Sequence, residues 1–177
     1  MIPQDTKKRV GKKLDQRGVT AVTVSVFAAV MVMFAAFAID IGHALVTKNE
    51  LQNASDSAAL AAGRQLGLMY MGWPIIQVKD TSYALTAADQ LPIINGAKNV
   101  SLMNRASELA SVALATSDIE IGTWNFNPPV GTPSTFVPTL VQPNAIRVTA
   151  RRESGTPNGP ISTFFAGVFG MNNGIND

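Results

Sequence analysis

The residues able to do chemistry are few and far apart. Asp118 and Glu120 stand two apart at the head of an alternating stretch, so both carboxylates could leave a strand on the same side. Paired carboxylates can do acid–base work, but nothing else reactive accompanies them, and the pattern reads as the solvated edge of a sheet. His43 is the only histidine, with no cluster of acidic residues around it in sequence. One histidine makes neither a metal site nor a triad, so it reads as a surface or interface residue. The chain has no cysteine, which removes disulfides, thiolate chemistry and cysteine-ligated zinc. There is no glycine-rich phosphate loop and no serine in a nucleophile-elbow setting. The sequence therefore offers no catalytic, cofactor-binding or metal-binding residue, and it is not read as an enzyme.

The elements that carry these residues are dominated by one stretch. Residues 19–39, VTAVTVSVFAAVMVMFAAFAI, hold no charge and no polar side chain larger than Ser or Thr. As a helix this run rises about 30 Å, the thickness of a bilayer's hydrocarbon core. Six of the 14 Lys and Arg precede it, at Lys7, Lys8, Arg9, Lys12, Lys13 and Arg17. Basic residues beside a span favour the cytoplasmic side, which puts the amino terminus inside and residues beyond Asp40 outside. A net charge of only +2 gives no reason to expect nucleic acid as a partner. Ala38 ends a small-x-small triplet that a signal peptidase could read. The apolar run, however, is longer than a signal peptide's and its helical pattern continues without a break.

The pattern divides the chain into a basic arm (1–18), a spanning helix with its continuation (19–66) and an exported domain (67–177). No proline interrupts residues 19–66, and Ile41, Leu45, Leu51, Ala54, Ala58, Ala61 and Ala62 recur at helical spacing, in imperfect register. The small alanine face suits close approach of another helix or a sheet. Asp40 marks the outer edge of the span, and an ion-pair role in assembly is the less favoured alternative. Residues 67–80 read as the helix end and a turn, with Tyr70 and Trp73 buried against the domain. Residues 81–91 read as a short helix ended by Pro92, residues 94–99 as a turn, and residues 101–115 as a second helix. Beyond Asp118 the period changes to that of a strand at Ile119, Ile121 and Thr123. The proline-rich 125–143 stretch reads as an exposed loop, and Ile146, Val148 and Ala150 alternate again. The two alternating runs predict an antiparallel hairpin packed on the second helix. Arg151, Arg152 and Glu153 read as charges on a strand edge. Residues 154–160 form a turn, and the apolar segment after it, with Phe164, Phe165 and Phe169, closes the core or seats a partner. The fold class is α+β.

Two groups of residues carry a resemblance. RGVTAV, the Ala/Val/Phe-rich span and AIDIGHALVTKNELQNASDSAALAAG resemble the amino-terminal segment of TadE/TadG-like proteins of the tight-adherence, Flp-type pilus-assembly system. The stretch from Leu51 to Gly63 is the most specific part. IEIGTWNFN, AIRVTARRES and ISTFFAGVFG resemble the exported portion of TadG-like members. The resemblance implies a single-pass protein of the bacterial cytoplasmic membrane, pseudopilin-like or minor-pilin-like, serving pilus assembly or adhesion. Its partners would be membrane lipid and other pilus-assembly or pilin subunits, including further copies of itself. Related pilins are cut after a glycine and carry a Glu five residues beyond; here Gly18 and Val19 stand at that junction, but Thr23 replaces the Glu. The departure favours the TadG-like arrangement with an uncleaved anchor. A filament subunit, whose helices bundle into the fibre core, is the alternative. On either reading Asp40, Ala54, Ala58, Ala61 and Ala62 are candidate assembly contacts.

Overall fold

The computed structural model describes residues 16–72 and 82–166. Its main element is α1, Gln16–Gly72, a single helix of 57 residues and about 85 Å. It continues past residue 66 to Gly72. Trp73, the rest of the expected turn, Phe169 and most of the basic arm lie outside the described residues.

α1 has two halves with different surfaces. Val22, Val24, Val26, Phe27, Val32 and Phe34 are exposed, so the first half is bare on every side. The second half buries one stripe: Ala36, Asp40, Thr47, Leu51, Ala54, Ala58, Ala62 and Leu66. Spacings of three, four and seven put these on one face of a helix. Ile41 and Leu45 are not on it. They are exposed, and at their level the covered face is instead Asp40, half-buried His43 and Thr47.

The second helix, α2 (Ala87–Ser101), runs against α1. Thr86 and Asp89 form a capping box, with Asp89 accepting from the Thr86 backbone N–H at 2.9 Å. The Thr86 hydroxyl, which donates to the same carboxylate at 2.7 Å, and then this N–H lower the pKa of Asp89. The helix does not end at Pro92, and the supposed turn at residues 94–99 is helical. Ile93 and Ala97 are fully buried against α1, and that burial outweighs the missing proline N–H. Gly96 allows the close approach: a Cβ there would lie 3.0 Å from Gln65 Cγ and 3.5 Å from the Ala61 carbonyl oxygen.

Residues 102–115 do not form the predicted second helix. Ser101 Oγ donates to the Val112 carbonyl at 2.7 Å, and Val112 N–H donates to the Asn104 carbonyl at 3.0 Å. Asn104 in turn donates to Ser57 Oγ on α1 at 2.9 Å. These contacts fold the segment into turns, with Ser107 at φ 55°, and still bury Ala106 and Val112. Of Leu102, Ala106, Leu109, Ala110 and Ala113, which helical spacing puts on one apolar face, only Ala106 is buried, and Leu102 and Ala110 are exposed.

A small sheet completes the domain: β1 (Ile119–Trp124), β2 (Phe136–Pro138) and β3 (Ala145–Val148), antiparallel in the order β2-β1-β3. The expected hairpin is β1 with β3, pairing Ile119 with Val148 and Ile121 with Ile146. Those four side chains face a core built on Ala58, Ala62 and Leu66 of α1, so the sheet closes against the long helix. Within the stretch expected to be all loop, β2 pairs with β1 on its other edge. Its Phe136 ring lies over Gly122, where a Cβ would come 2.6 Å from the ring and 2.4 Å from the Val137 carbonyl oxygen. Arg147 lies over the Phe136 ring, 4.7 Å from its centroid, and meets Glu120 at 2.6 Å. Tyr70, partly buried, ties the end of α1 to the domain by donating to the Pro143 carbonyl at 2.6 Å.

The helix–helix contact makes a graded prediction. Gly96→Ala meets mainly Gln65 Cγ, which must give by a few tenths of an ångström, and should leave stability within about 1 kcal/mol, helped by helix propensity. Gly96→Leu must push α2 away from α1 and should cost about 1–3 kcal/mol. Thermal melts of detergent-solubilised protein, followed by circular dichroism, check the order.

Candidate functional site

The polar residues singled out from sequence gather where the bare half of α1 gives way to the covered half. Asp40 is only 6% exposed. Its carboxylate accepts three backbone N–H groups of the carboxy-terminal segment: Phe164 at 2.8 Å, Phe165 at 3.1 Å and Ala166 at 2.9 Å. It is therefore more than a boundary marker, since it holds a segment more than 120 residues away in sequence. A carboxylate that receives several N–H groups is a strong acceptor, and it satisfies donors that would otherwise be orphaned.

One turn further along α1, His43 stacks edge-on against Phe164, with centroids 5.0 Å apart. Its Nε2 contacts Ser107 Oγ and lies 3.8 Å from Glu108 Oε2. Ser107 also gives its hydroxyl to Glu108, and its backbone N–H to Glu50, two turns up the same helix. Histidine, serine and carboxylate thus meet, yet not as a relay. In a triad the imidazole uses one nitrogen for the nucleophile and the other for the carboxylate. Here Glu108 and Ser107 share Nε2, and the serine proton is already given to Glu108. The arrangement is a clamp of the 104–109 turn onto α1.

Glu108 extends the clamp to a residue 44 positions further along the chain. Arg152, 3% exposed, donates to Glu108 Oε1 at 2.8 Å and to the Pro160 carbonyl at 2.7 Å. The hydrogen bond from Arg152 is the largest cause holding the Glu108 pKa far below the usual carboxylate range. Arg152 is thus an interior tie and not an edge charge. Nearby, Asn158 braces two segments by accepting from Ala113 N–H at 2.8 Å and donating to the Arg151 carbonyl at 2.9 Å.

The other sequence candidates fall elsewhere. Asp118 is buried, accepts from Ala115 N–H at 2.8 Å and pairs with Arg151, whereas Glu120 pairs with Arg147, so the two carboxylates serve different arginines. Ala54, Ala58 and Ala62 are fully buried within the chain's own core, and Ala61 faces Gly96. Gly18 and Val19 lie in the first turns of α1 and are exposed. Among the described residues, no group of three or more His, Cys, Asp or Glu is placed to hold a metal ion. Sequence reasoning missed Glu50, Ser107 and Glu108. The one available signal was that Asp40, His43, Thr47 and Glu50 recur at helical spacing on one face.

These contacts yield two predictions. Asp40→Ala leaves three N–H groups without their acceptor and should weaken the hold on the 164–166 segment by about 1–3 kcal/mol. Amide hydrogen exchange there should accelerate about ten- to a hundredfold, with Asp40→Asn in between. A depressed folded-state carboxylate pKa contributes stability that is present above the unfolded value of about 4.3 and is lost as pH falls through the folded value. The melting temperature should therefore fall below about pH 4. Glu108→Gln should flatten part of that acid limb, modestly, because its side chain is 42% exposed and water screens the pair.

Comparison with known families covers both halves of the molecule. A family profile described as Flp pilus-assembly TadE/G-like matches residues 18–65, which is most of α1. A second, described as Tad-like Flp pilus-assembly, matches residues 80–175, which takes in α2, the clamp, the sheet and the segment held by Asp40. No curated protein and no solved structure matches. The junction between the two profiles falls near the end of α1, so the helix and the domain packed on it are each accounted for. With more than half of its length matched by one profile alone, the chain belongs to the Tad-like Flp pilus-assembly family.

Proposed function

We propose that this protein is a membrane-anchored, non-enzymatic component of the tight-adherence pilus-assembly machinery, pseudopilin-like or minor-pilin-like and closest to TadG-like members. One observation carries this reading: a single unbroken helix is bare and apolar over its first half and forms the backbone of a folded domain over its second. By length and composition α1 can cross a membrane. A cylinder of exposed Val, Met and Phe is unfavourable in water, and lipid is the cover that needs no further copy of the chain. The basic arm supports an inside amino terminus, with the domain periplasmic or extracellular. Thr23 in place of a Glu supports retention of the span as an anchor. Thr23 Oγ1 donates to the Val19 carbonyl of its own helix at 2.9 Å, so it offers no charge to a neighbouring subunit.

The alternative, a filament subunit, replaces lipid with sister helices around the same apolar surface. Of Ala28, Ala29, Ala35, Ala36 and Ala38, the small residues of the span, all but Ala36, which the chain itself covers, are open to their close approach.

Intact mass of the mature protein separates the two. An uncleaved chain confined to membranes is the expected result. A chain beginning at Val19 and recovered from sheared cell-surface filaments would establish the filament subunit instead. Topology is checked on the same material, because the chain is cysteine-free. A membrane-impermeant maleimide should label Ser111→Cys on the domain and spare Thr6→Cys on the arm; the reverse pattern overturns the proposed orientation.

A further inference from the structure

Phe164 and Phe165 are 65% and 37% exposed although both are large and apolar. Single exposed apolar residues are ordinary on a protein surface. What sets these two apart is the height at which they are held along α1. Their backbone N–H groups are bound to Asp40, and the Phe164 ring stacks on His43.

The exposed apolar surface of α1 does not stop at that height. Ile39, Ile41, Leu45 and Val46 are all exposed, and the next charged residue after Asp40 is Lys48. Asp40, His43 and Thr47, which interrupt the run in sequence, are turned into the covered or half-covered face. Seen from outside, the apolar surface runs from Val19 to Val46, a rise of about 42 Å, which equals a bilayer with its interfacial zones. The level of Asp40 and His43 lies inside that slab. Ala36, one turn deeper on the same face as Asp40, is also covered, so the covering of α1 by the chain itself reaches below Asp40. The backbone at this depth needs internal acceptors, and the Asp40 carboxylate supplies them to all three residues.

We propose that Phe164 and Phe165 form a second lipid contact, an aromatic foot that Asp40 holds in the outer bilayer interface beside α1. The occupant is the headgroup–acyl boundary of the membrane, and the argument is continuity: the two rings extend the apolar surface of α1 sideways at the same height. The foot ties the molecule to the membrane at two points, which constrains the tilt of α1 and of the domain packed on it relative to the bilayer. This inference rests on the membrane-anchored reading above.

The test uses the full chain in phosphatidylcholine vesicles. Because the protein has no cysteine, Phe164→Cys and Phe165→Cys can each carry a single nitroxide label. Phe34→Cys in the bare half of α1 and Ser111→Cys on the domain serve as deep and aqueous references. Collision with oxygen, which concentrates in lipid, is compared with collision with a water-soluble nickel chelate. Labels at 164 and 165 should be several-fold more accessible to oxygen than to the chelate, between the two references. Adding Asp40→Ala should move them toward the Ser111 value. If the label at 34 reads as lipid while those at 164 and 165 read as water, or are shielded from both reagents, the foot is wrong and the anchor stands. If the label at 34 itself does not read as lipid, the anchored reading fails and the foot with it.

Discussion

A change of surroundings along one continuous helix governs this structure. Within about one turn, between Ala36 and Asp40, α1 acquires a covered face, while its opposite side stays apolar as far as Val46. A helix cannot meet such a change by bending away, because nothing breaks it between Gln16 and Gly72. The adjustment has to be made by what packs on it. The covered stripe is built from small side chains, Ala54, Ala58 and Ala62, so α2 and the sheet can lie close to the α1 backbone. At its lower end the stripe turns polar, and Asp40, His43 and Glu50 receive backbone and side-chain partners from residues 107–108 and 164–166. The domain is thus fastened to the helix by apolar packing along most of its length and by hydrogen bonds at its base.

That division follows from what each kind of contact can do there. Alanine burial is non-directional and tolerates sliding, so it cannot by itself fix where a turn or a chain end comes to rest. A carboxylate taking three N–H groups fixes position to within a fraction of an ångström, and it does so while satisfying donors that cannot be left unpaired near an apolar surface. The Arg152–Glu108 pair works similarly between elements. Arg152 is nearly fully buried, and its Nη2 gives hydrogen bonds to a carboxylate and to a backbone carbonyl, which offsets part of the cost of removing its charge from water; its Nη1 has no partner among the described residues. Both ties join segments that have little regular structure of their own, the 104–109 turn and the chain beyond residue 153. Such segments need specific anchors because no ladder of backbone bonds holds them.

Much of this architecture was legible in the sequence, and the parts that were not share a cause. The long helix shows in the absence of proline, its apolar first half in the absence of charge, and the β1–β3 pairing in the alternation at Ile119, Ile121, Ile146 and Val148. Those are local periodicities. The errors arose where distant contacts overrode local preference. Pro92 reads as a stop, but Ile93 and Ala97 find α1. Residues 102–115 carry a helical spacing, but Ser101, Asn104 and Ser107 bond to distant partners instead. β2 is three residues long within a proline-rich stretch and exists because β1 has a free edge and Gly122 admits the Phe136 ring. Asp40 shows the same limit most plainly. Its position at the end of an apolar run is visible in sequence, but no rule of spacing connects it to residues 164–166. Arg152, beside Arg151, reads as one more surface charge until Glu108 is seen to meet it.

The same reasoning bears on why small residues, so common along α1, need not signal contact with other subunits. Ala54, Ala58 and Ala62 resemble a helix-docking face, but what docks there is the same chain: α2 and the sheet cover Ala58 and Ala62, and Ala106 and Val112 cover Ala54. Once that face is occupied, what α1 still offers to its surroundings is chiefly the bare apolar half and the Ile41–Val46 side above it. A domain rigidly seated on its helix presents the sheet and the proline-rich connection to other components at a fixed rotation relative to that surface. For a component of a pilus-assembly system, seating of this kind turns the orientation of one helix into the orientation of everything packed upon it.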